Sequence, residues 1–304
     1  MIVVLGATGN TGSVVAKRLL QRGETVRAVG RDAAKLAQVF QAGTQIGADV
    51  VTADASDAAT LTKAFEGAAS AYLLLPPRAK DPDLLGSGNR MAAALTEAVQ
   101  ASGISHVVVL SSIGAQHENK TGPIQVLHTL EEKLKQVPKL NALFLRPGPF
   151  MENFLLYIPL VHSMGFLAGG IEGDLKIPFI ATRDIGERAA DALLQLDFSG
   201  FSTRELQGER DLSHDEIAKA IGSAIGKPKL SYQKFPGFLL EQGMKQMGIP
   251  GKTASLMSEM SAAANDGLLK PLEPRTPGNT TPTSIERWAQ EVFALAYNAK
   301  AAVA

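Results

Sequence analysis

The chain has 304 residues with 30 Lys plus Arg against 30 Asp plus Glu, so its formal charge is zero. That balance removes the electrostatic footprint of a dedicated nucleic-acid binder, and 45% hydrophobic residues are ample for a large folded core. Cysteine is absent, which excludes disulfides, thiolate nucleophiles, iron-sulfur clusters and Cys-ligated zinc.

Met1–Leu5 runs straight into Gly6 without a basic region or a cleavage site, so no export is expected. The longest central apolar run, 154–161, contains Pro159 and falls well short of the roughly 20 residues that a membrane span requires. A cytoplasmic chain that does not insert into membranes is the expectation.

Short Val-, Leu- and Ile-rich runs alternate with helical patterns, as in βαβ units whose parallel sheet is buried on both faces. Six strands are predicted in the first half, at Ile2–Gly6, Thr25–Val29, Asp49–Ala53, Ser70–Leu75, His106–Ser111 and Ala142–Arg146. Helices fall near 11–22, 32–41, 57–67, 88–102 and 124–136. Beyond Pro147-Gly148-Pro149 the alternation loosens. A short strand near Lys176–Ile180, a helix from Asp184 to Leu196 and a strand near Thr203–Leu206 are followed by helices at 213–225, 236–247, 252–266 and 283–299.

The first strand ends in Gly6-Ala-Thr-Gly9-Asn-Thr-Gly12, which opens an amphipathic helix carrying Val14, Val15, Leu19 and Leu20. One glycine permits the tight turn, a second lets backbone approach a pyrophosphate, and a third lets helix and sheet pack. The helix start then offers free N–H groups and partial positive charge to phosphate. Gly6, Thr8, Gly9, Asn10, Thr11 and Gly12 are therefore candidate dinucleotide contacts, although the spacing is G-x-x-G-x-x-G. At the end of the second strand an NAD site expects a carboxylate for the ribose 2′-hydroxyl, whereas a 2′-phosphate expects a cation. Gly30-Arg31 stands there, which favours NADP(H) over NAD(H), with Arg27 and Lys35 as helpers and the adjacent Asp32 as the competing acid. Asp54, after the third strand, either accepts from the adenine amino group or caps the next helix. Leu73-Leu-Leu-Pro76-Pro77 forms a stiff apolar wall in which Leu75 and Pro76 are candidate contacts for the adenosine side.

At the fifth strand end, Ser111 and Ser112 are placed either to touch the nicotinamide half or to close the turn. Pro147 and Gly148 bring backbone to the same region. Phe150, Asn153 and Tyr157, in the stretch that follows, suit a flat hydrophobic acceptor, although such a stripe is more often plain core. The histidines show no paired ligand spacing, so no metal site is expected, and Gly86-Ser-Gly88 lacks the context of a nucleophile elbow.

The glycine motif, Arg31 and Leu145-Arg-Pro-Gly-Pro-Phe-Met-Glu-Asn153 together resemble the NmrA-like branch of the atypical short-chain dehydrogenase/reductase superfamily. Further similarities are Val109-Leu-Ser-Ser-Ile-Gly114, Arg183-Asp-Ile-Gly186 and the stretch from Leu206 to Ile217. The resemblance implies an α/β fold with a Rossmann-type doubly wound parallel sheet and a smaller, mostly helical C-terminal part that binds substrate. Residues 1–150 would form the NADP(H)-binding domain and 151–304 the smaller region, with sheet and helices partly interleaved.

The same resemblance implies a reductase of quinones or similar conjugated hydrophobic acceptors, or alternatively a catalytically silent NADP(H)-binding redox sensor acting through a protein partner. A homodimer is left open, and no direct nucleic-acid contact is expected. Related enzymes use Tyr-x-x-x-Lys to protonate a carbonyl. Here the matching stretch is His128-Thr-Leu-Glu-Glu-Lys133, with Leu127, Leu130 and Leu134 taken as its buried face, so His128 and Lys133 are the candidate catalytic residues. Quinones tolerate the missing Tyr, because a hydroquinone anion is a far better product than an alkoxide. Sugar epimerisation and ordinary ketone reduction are disfavoured.

Overall fold

The computed structural model of the protein describes residues 1–40, 48–76 and 78–301. Pro77 of the expected apolar wall and Gln41, the last residue of the expected second helix, lie outside them.

In chain order the first half comprises β1 (Ile2–Leu5), α1 (Gly12–Gln21), β2 (Val26–Gly30), α2 (Ala33–Phe40), β3 (Asp49–Thr52), α3 (Ala58–Phe65), β4 (Ser70–Leu73), α4 (Leu84–Ser102), β5 (His106–Leu110), α5 (Gln125–Leu134) and β6 (Asn141–Pro147). The second half adds α6 (Ile158–Ser163), β7 (Phe166–Gly169), α7 (Thr182–Gln195), β8 (Phe201–Leu206), α8 (His214–Ala224), β9 (Ser231–Lys234), α9 (Gly237–Gln246), α10 (Gly251–Asn265), α11 (Ile285–Trp288) and α12 (Ala294–Ala301). A seven-stranded parallel sheet runs in the order β3-β2-β1-β4-β5-β6-β8, and β7 pairs with β9 in a separate two-stranded sheet. The strand order reverses between β1 and β4, which is where open α/β sheets place ligands at the carboxyl ends of their strands.

The central strands β1, β4, β5 and β6 bury both faces, and this makes the sheet doubly wound. Ile2 and Val4 pack with Val15, Leu19 and Leu36 from α1 and α2 and with Ile185, Ala189 and Leu193 from α7. Val3 and Leu5 face the other way, onto Leu61, Phe65, Leu95, Val99, Leu130 and Leu134 from α3, α4 and α5. A third core, around Trp288, Phe293, Phe154, Phe179 and Ile217, belongs to the chain after β6.

The expected strand at Lys176–Ile180 is not one. Its residues make only isolated bridges, Ile177 to Leu212 and Ile180 to Phe150, because the segment is threaded between two glycines: a Cβ at Gly148 or at Gly208 would collide with the carbonyl of Pro178 or Phe179. The expected helix 283–299 is also interrupted, by a π turn over Ala289–Phe293 between α11 and α12. The sequence reading missed β7, β9, α6 and the 3-10 turn Met151–Tyr157. Among the described residues no helix is long and apolar enough to cross a membrane.

Candidate functional site

Gly6 adopts φ +69° and abuts Leu74, so the chain turns where β1 and β4 part. The Gly6 carbonyl accepts from the Gly9 amide at 2.8 Å. A Cβ on Gly12 would lie 2.8 Å from the Gly6 carbonyl carbon, so α1 can start this close to β1 only with glycine there. The N-terminus of α1 has no side-chain cap, and the amides of Thr11 and Gly12 make no hydrogen bond among the described residues. Thr8, Gly9 and Asn10 are exposed, whereas Thr11 is buried and its hydroxyl accepts from Tyr72 Oη at 2.9 Å. A cradle closed by backbone, with unpartnered N–H groups at a helix start, fits a pyrophosphate.

Arg31 projects into solvent beyond β2 and has no ion pair or hydrogen bond among the described residues. Its rival Asp32 accepts from the Lys35 amide at 3.1 Å in the first turn of α2, with the Lys35 ammonium 4.0 Å away. Arg27 is not a helper: it bonds Asp49 at 2.6 Å and the Ala64 and Glu66 carbonyls at the end of α3. Asp54 does not cap α3 either; Asp57 does, accepting from Ala59 and Thr60. Instead Asp54 Oδ1 accepts from the Ser56 amide (2.8 Å) and hydroxyl (2.6 Å) and from Arg78 Nη2 (3.3 Å). The Ser56 hydroxyl foremost, then its amide, holds the carboxyl below its ordinary value against partial burial, with the charges of Arg78 and Arg31 adding to the effect. Leu75 and Pro76 are half-buried.

At the far side of the crevice, ladder bonds continue past the strands, from the Ser111 amide to the Leu145 carbonyl and from the Ile113 amide to the Pro147 carbonyl. Ser111 is buried and its hydroxyl donates to Glu131 Oε1 at 2.5 Å. The same buried carboxylate takes both arms of Arg146, at 2.9 and 2.5 Å. Sequence reasoning missed this triad. On α5 the buried face is Val126, Leu130, Glu131 and Leu134, whereas Leu127 is only half-buried. The available signal was Arg146 itself, a lone charge inside an apolar strand run.

Ser112 lies half-buried with its hydroxyl on the Ile113 carbonyl. His128, one turn before Glu131, has Nδ1 2.9 Å from the Ala115 carbonyl; a carbonyl only accepts, so Nδ1 carries the hydrogen and Nε2 is left to give or take a proton. Lys133 is half-buried with no side-chain partner among the described residues.

The Pro147-Gly148 turn leads to half-buried Phe150 and Tyr157 and exposed Asn153. Burial pushes the Tyr157 phenol up. Glu152 ties this stretch down, accepting from the Thr182 amide at 3.0 Å and from the Trp288 indole at 3.1 Å. The helices after β9 form a wall anchored on the strand-end loops. On α10, Thr253 donates to the Asp81 carbonyl at 2.7 Å, and Glu259 accepts from the Gly122 amide at 3.2 Å and from Gln125 at 3.1 Å.

Glycines that close a turn at a strand-order reversal, an exposed arginine past β2 and an imidazole fixed on the Ala115 carbonyl are features that a Rossmann-type dinucleotide site would use. The chain belongs to the NmrA-like family, whose model matches residues 1–287. It is 30% identical over 266 residues to an NAD(P)H azoreductase of Xenophilus azovorans, covering 87% of each chain. An uncharacterised oxidoreductase of Bacillus subtilis is 29% identical over 275 residues, covering 88% of this chain and 85% of its own. Among solved structures, an NADPH-dependent quinone oxidoreductase of Escherichia coli complexed with NADPH shares the fold, with a TM-score of 0.80 at 22% identity over 96% of this chain and 100% of that one. A Citrobacter triphenylmethane reductase complexed with NADP(H) gives 0.74 at 20% identity, over 99% and 100% respectively.

Proposed function

We propose that the protein is a cytoplasmic NADPH-dependent oxidoreductase that transfers hydride to a quinone or a similar flat, conjugated, hydrophobic acceptor. The observation that carries the cofactor choice is the contrast at the end of β2: Arg31 has no partner among the described residues, and Asp32 is engaged in the first turn of α2. A planar guanidinium suits a 2′-phosphate, and the acid that would prefer a ribose hydroxyl faces its own helix. The azoreductase relative supports the acceptor class, since an azo dye shares the flat conjugation of a quinone.

In this reading the amides of the 8–12 turn hold the pyrophosphate, Arg31 the 2′-phosphate, and Leu75, Pro76 and Asp54 border the adenosine. Ser112, Pro147 and Gly148 border the nicotinamide, which when bound supplies the hydride. Phe150, Tyr157 and Asn153 offer the acceptor an apolar face with a polar edge. Reduction of a quinone by hydride leaves a hydroquinone anion, which takes its proton from solvent or from His128 Nε2. Lys133, on the same helix, is the other candidate of this reading and supplies a positive charge near the end of α5. The protein's share is orientation and exclusion of water.

The test is steady-state oxidation of NADPH and NADH with purified protein against benzoquinones, naphthoquinones, an azo dye and an aliphatic ketone. Acceptor-dependent NADPH oxidation on the conjugated compounds, and none on the ketone, is the expected result. Tight NADPH binding with no turnover on any acceptor would replace this reading with that of a sensor.

A further inference from the structure

The sheet order places β3 and β4 on opposite sides of the β2-β1 pair. Neighbouring strands are about 4.8 Å apart, so three spacings separate the ends of β3 and β4 by roughly 14 Å. Residues that follow those two strands nevertheless meet: Arg78 Nη2 lies 3.3 Å from Asp54 Oδ1. Arg78 thus reaches from the loop after β4 towards the end of β3, across the carboxyl ends of β1 and β2 that lie between them.

Arg78 is weakly held where it sits. That one long bond is its only side-chain hydrogen bond among the described residues, and its Nε is buried without a partner. Asp54 is already occupied by Ser56, which bonds the same oxygen twice at shorter distances. Arg31 acts on the same carboxyl through space and has no ion pair among the described residues, and Asp81, in the next turn, acts on Arg78 in the same way. Arg31 is thus left without a contact partner and Arg78 with one long bond. A phosphate can offer separate oxygens to Nε and Nη2 together, the paired geometry that makes guanidinium–phosphate contacts strong, whereas Asp54 reaches Nη2 alone.

We propose that Arg78 is a second anchor for the cofactor's adenosine 2′-phosphate, opposed to Arg31, and that Asp54 holds its place until the phosphate arrives. The proposal rests on the NADPH reading above and extends it to a residue outside the glycine motif and β2.

The experiment is calorimetric titration of the full chain with adenosine 2′,5′-bisphosphate and, separately, with 5′-AMP. Arg78→Ala should weaken the bisphosphate about tenfold or more and leave 5′-AMP unchanged. Arg78→Lys should recover part of the loss, because it keeps the charge and loses the fork. Unliganded melting temperatures equal to wild type will show that the variants fold. Equal losses for both ligands would mean that Arg78 packs on adenine, and would overturn the phosphate assignment. Wild-type affinity for both in Arg78→Ala would overturn the role of Arg78 while leaving the cofactor reading intact. Failure of the wild-type protein to bind either compound or NADPH would overturn both.

Discussion

Gly12→Ala probes the cradle most sharply, because the three atoms nearest its methyl would all be backbone. The added carbon would stand 2.8 Å from the Gly6 carbonyl carbon and closer still to its oxygen, with the Ala7 nitrogen at 3.2 Å. Comfortable carbon–carbon contact begins at about 3.5 Å, so α1 or the β1 turn must move by roughly 0.7 to 1 Å. Overpacking of this kind costs about 1–3 kcal/mol. The larger effect falls on binding. A shift near 1 Å takes the Thr11 and Gly12 amides out of hydrogen-bonding range of a phosphate, and losing two bonds of about 1.5 kcal/mol each weakens the cofactor by at least 100-fold. Gly23→Ala at the other end of α1 is the control: its φ of +82° makes alanine strained by about 1–2 kcal/mol, with nothing within 4 Å to clash. Melting curves and NADPH titration should show both variants destabilised and only Gly12→Ala deficient in binding. Wild-type affinity in Gly12→Ala would refute the assignment of this turn to the pyrophosphate.

Arg31→Ala should raise the NADPH KM about 10- to 100-fold and leave the NADH KM within about twofold, as steady-state kinetics will report. Glu131→Gln should destabilise the fold by about 3 kcal/mol in denaturant titration, since it leaves the buried Arg146 guanidinium uncompensated; Glu131→Gln with Arg146→Met should cost less than the sum of the single changes. Burial lowers the pKa of His214 to about 4, below its ordinary 6.5, so the unfolded chain binds the proton first. Its share of stability is therefore complete above pH 6.5 and lost as the pH falls towards 4, up to on the order of 3 kcal/mol. The wild-type stability curve should fall more steeply across that window than the curve of His214→Phe, and parallel curves would contradict the assignment. In steady-state kinetics Lys133→Ala should lower turnover at most severalfold and His128→Ala should lower it more; unchanged turnover in His128→Ala at every pH would withdraw its role as proton donor.

The first half of the fold was legible because parallel strands buried on both faces read as unbroken apolar runs; all six are present within one or two residues of their predicted ends. The later elements carried weaker signals. In β9, Ser231-Tyr-Gln-Lys234 is mostly exposed and polar, and β7 includes Ala168 and Gly169, so neither shows strand periodicity. Conversely, Lys176–Ile180 read as a strand from its apolar residues, although Pro178 has no amide to give and the neighbouring glycines admit only a threaded chain. The glycine turn and Arg31 could be named from local spacing alone. Arg78 could not, because its nearness to Asp54 follows from a loop crossing two strand ends. Glu131 could not be separated from Glu132 without the register of α5, and Ser111 could not be known to point at it.

The central claim is hydride transfer from NADPH to a conjugated acceptor, and a single-turnover experiment tests it most directly. Protein loaded with one equivalent of NADPH is mixed rapidly with a simple benzoquinone while the reduced-nicotinamide absorbance is followed, with ordinary NADPH and with NADPH deuterated at the transferred position. The account predicts a single bleaching phase that saturates with quinone and slows severalfold on deuteration. Bleaching no faster than in protein-free solution would contradict it.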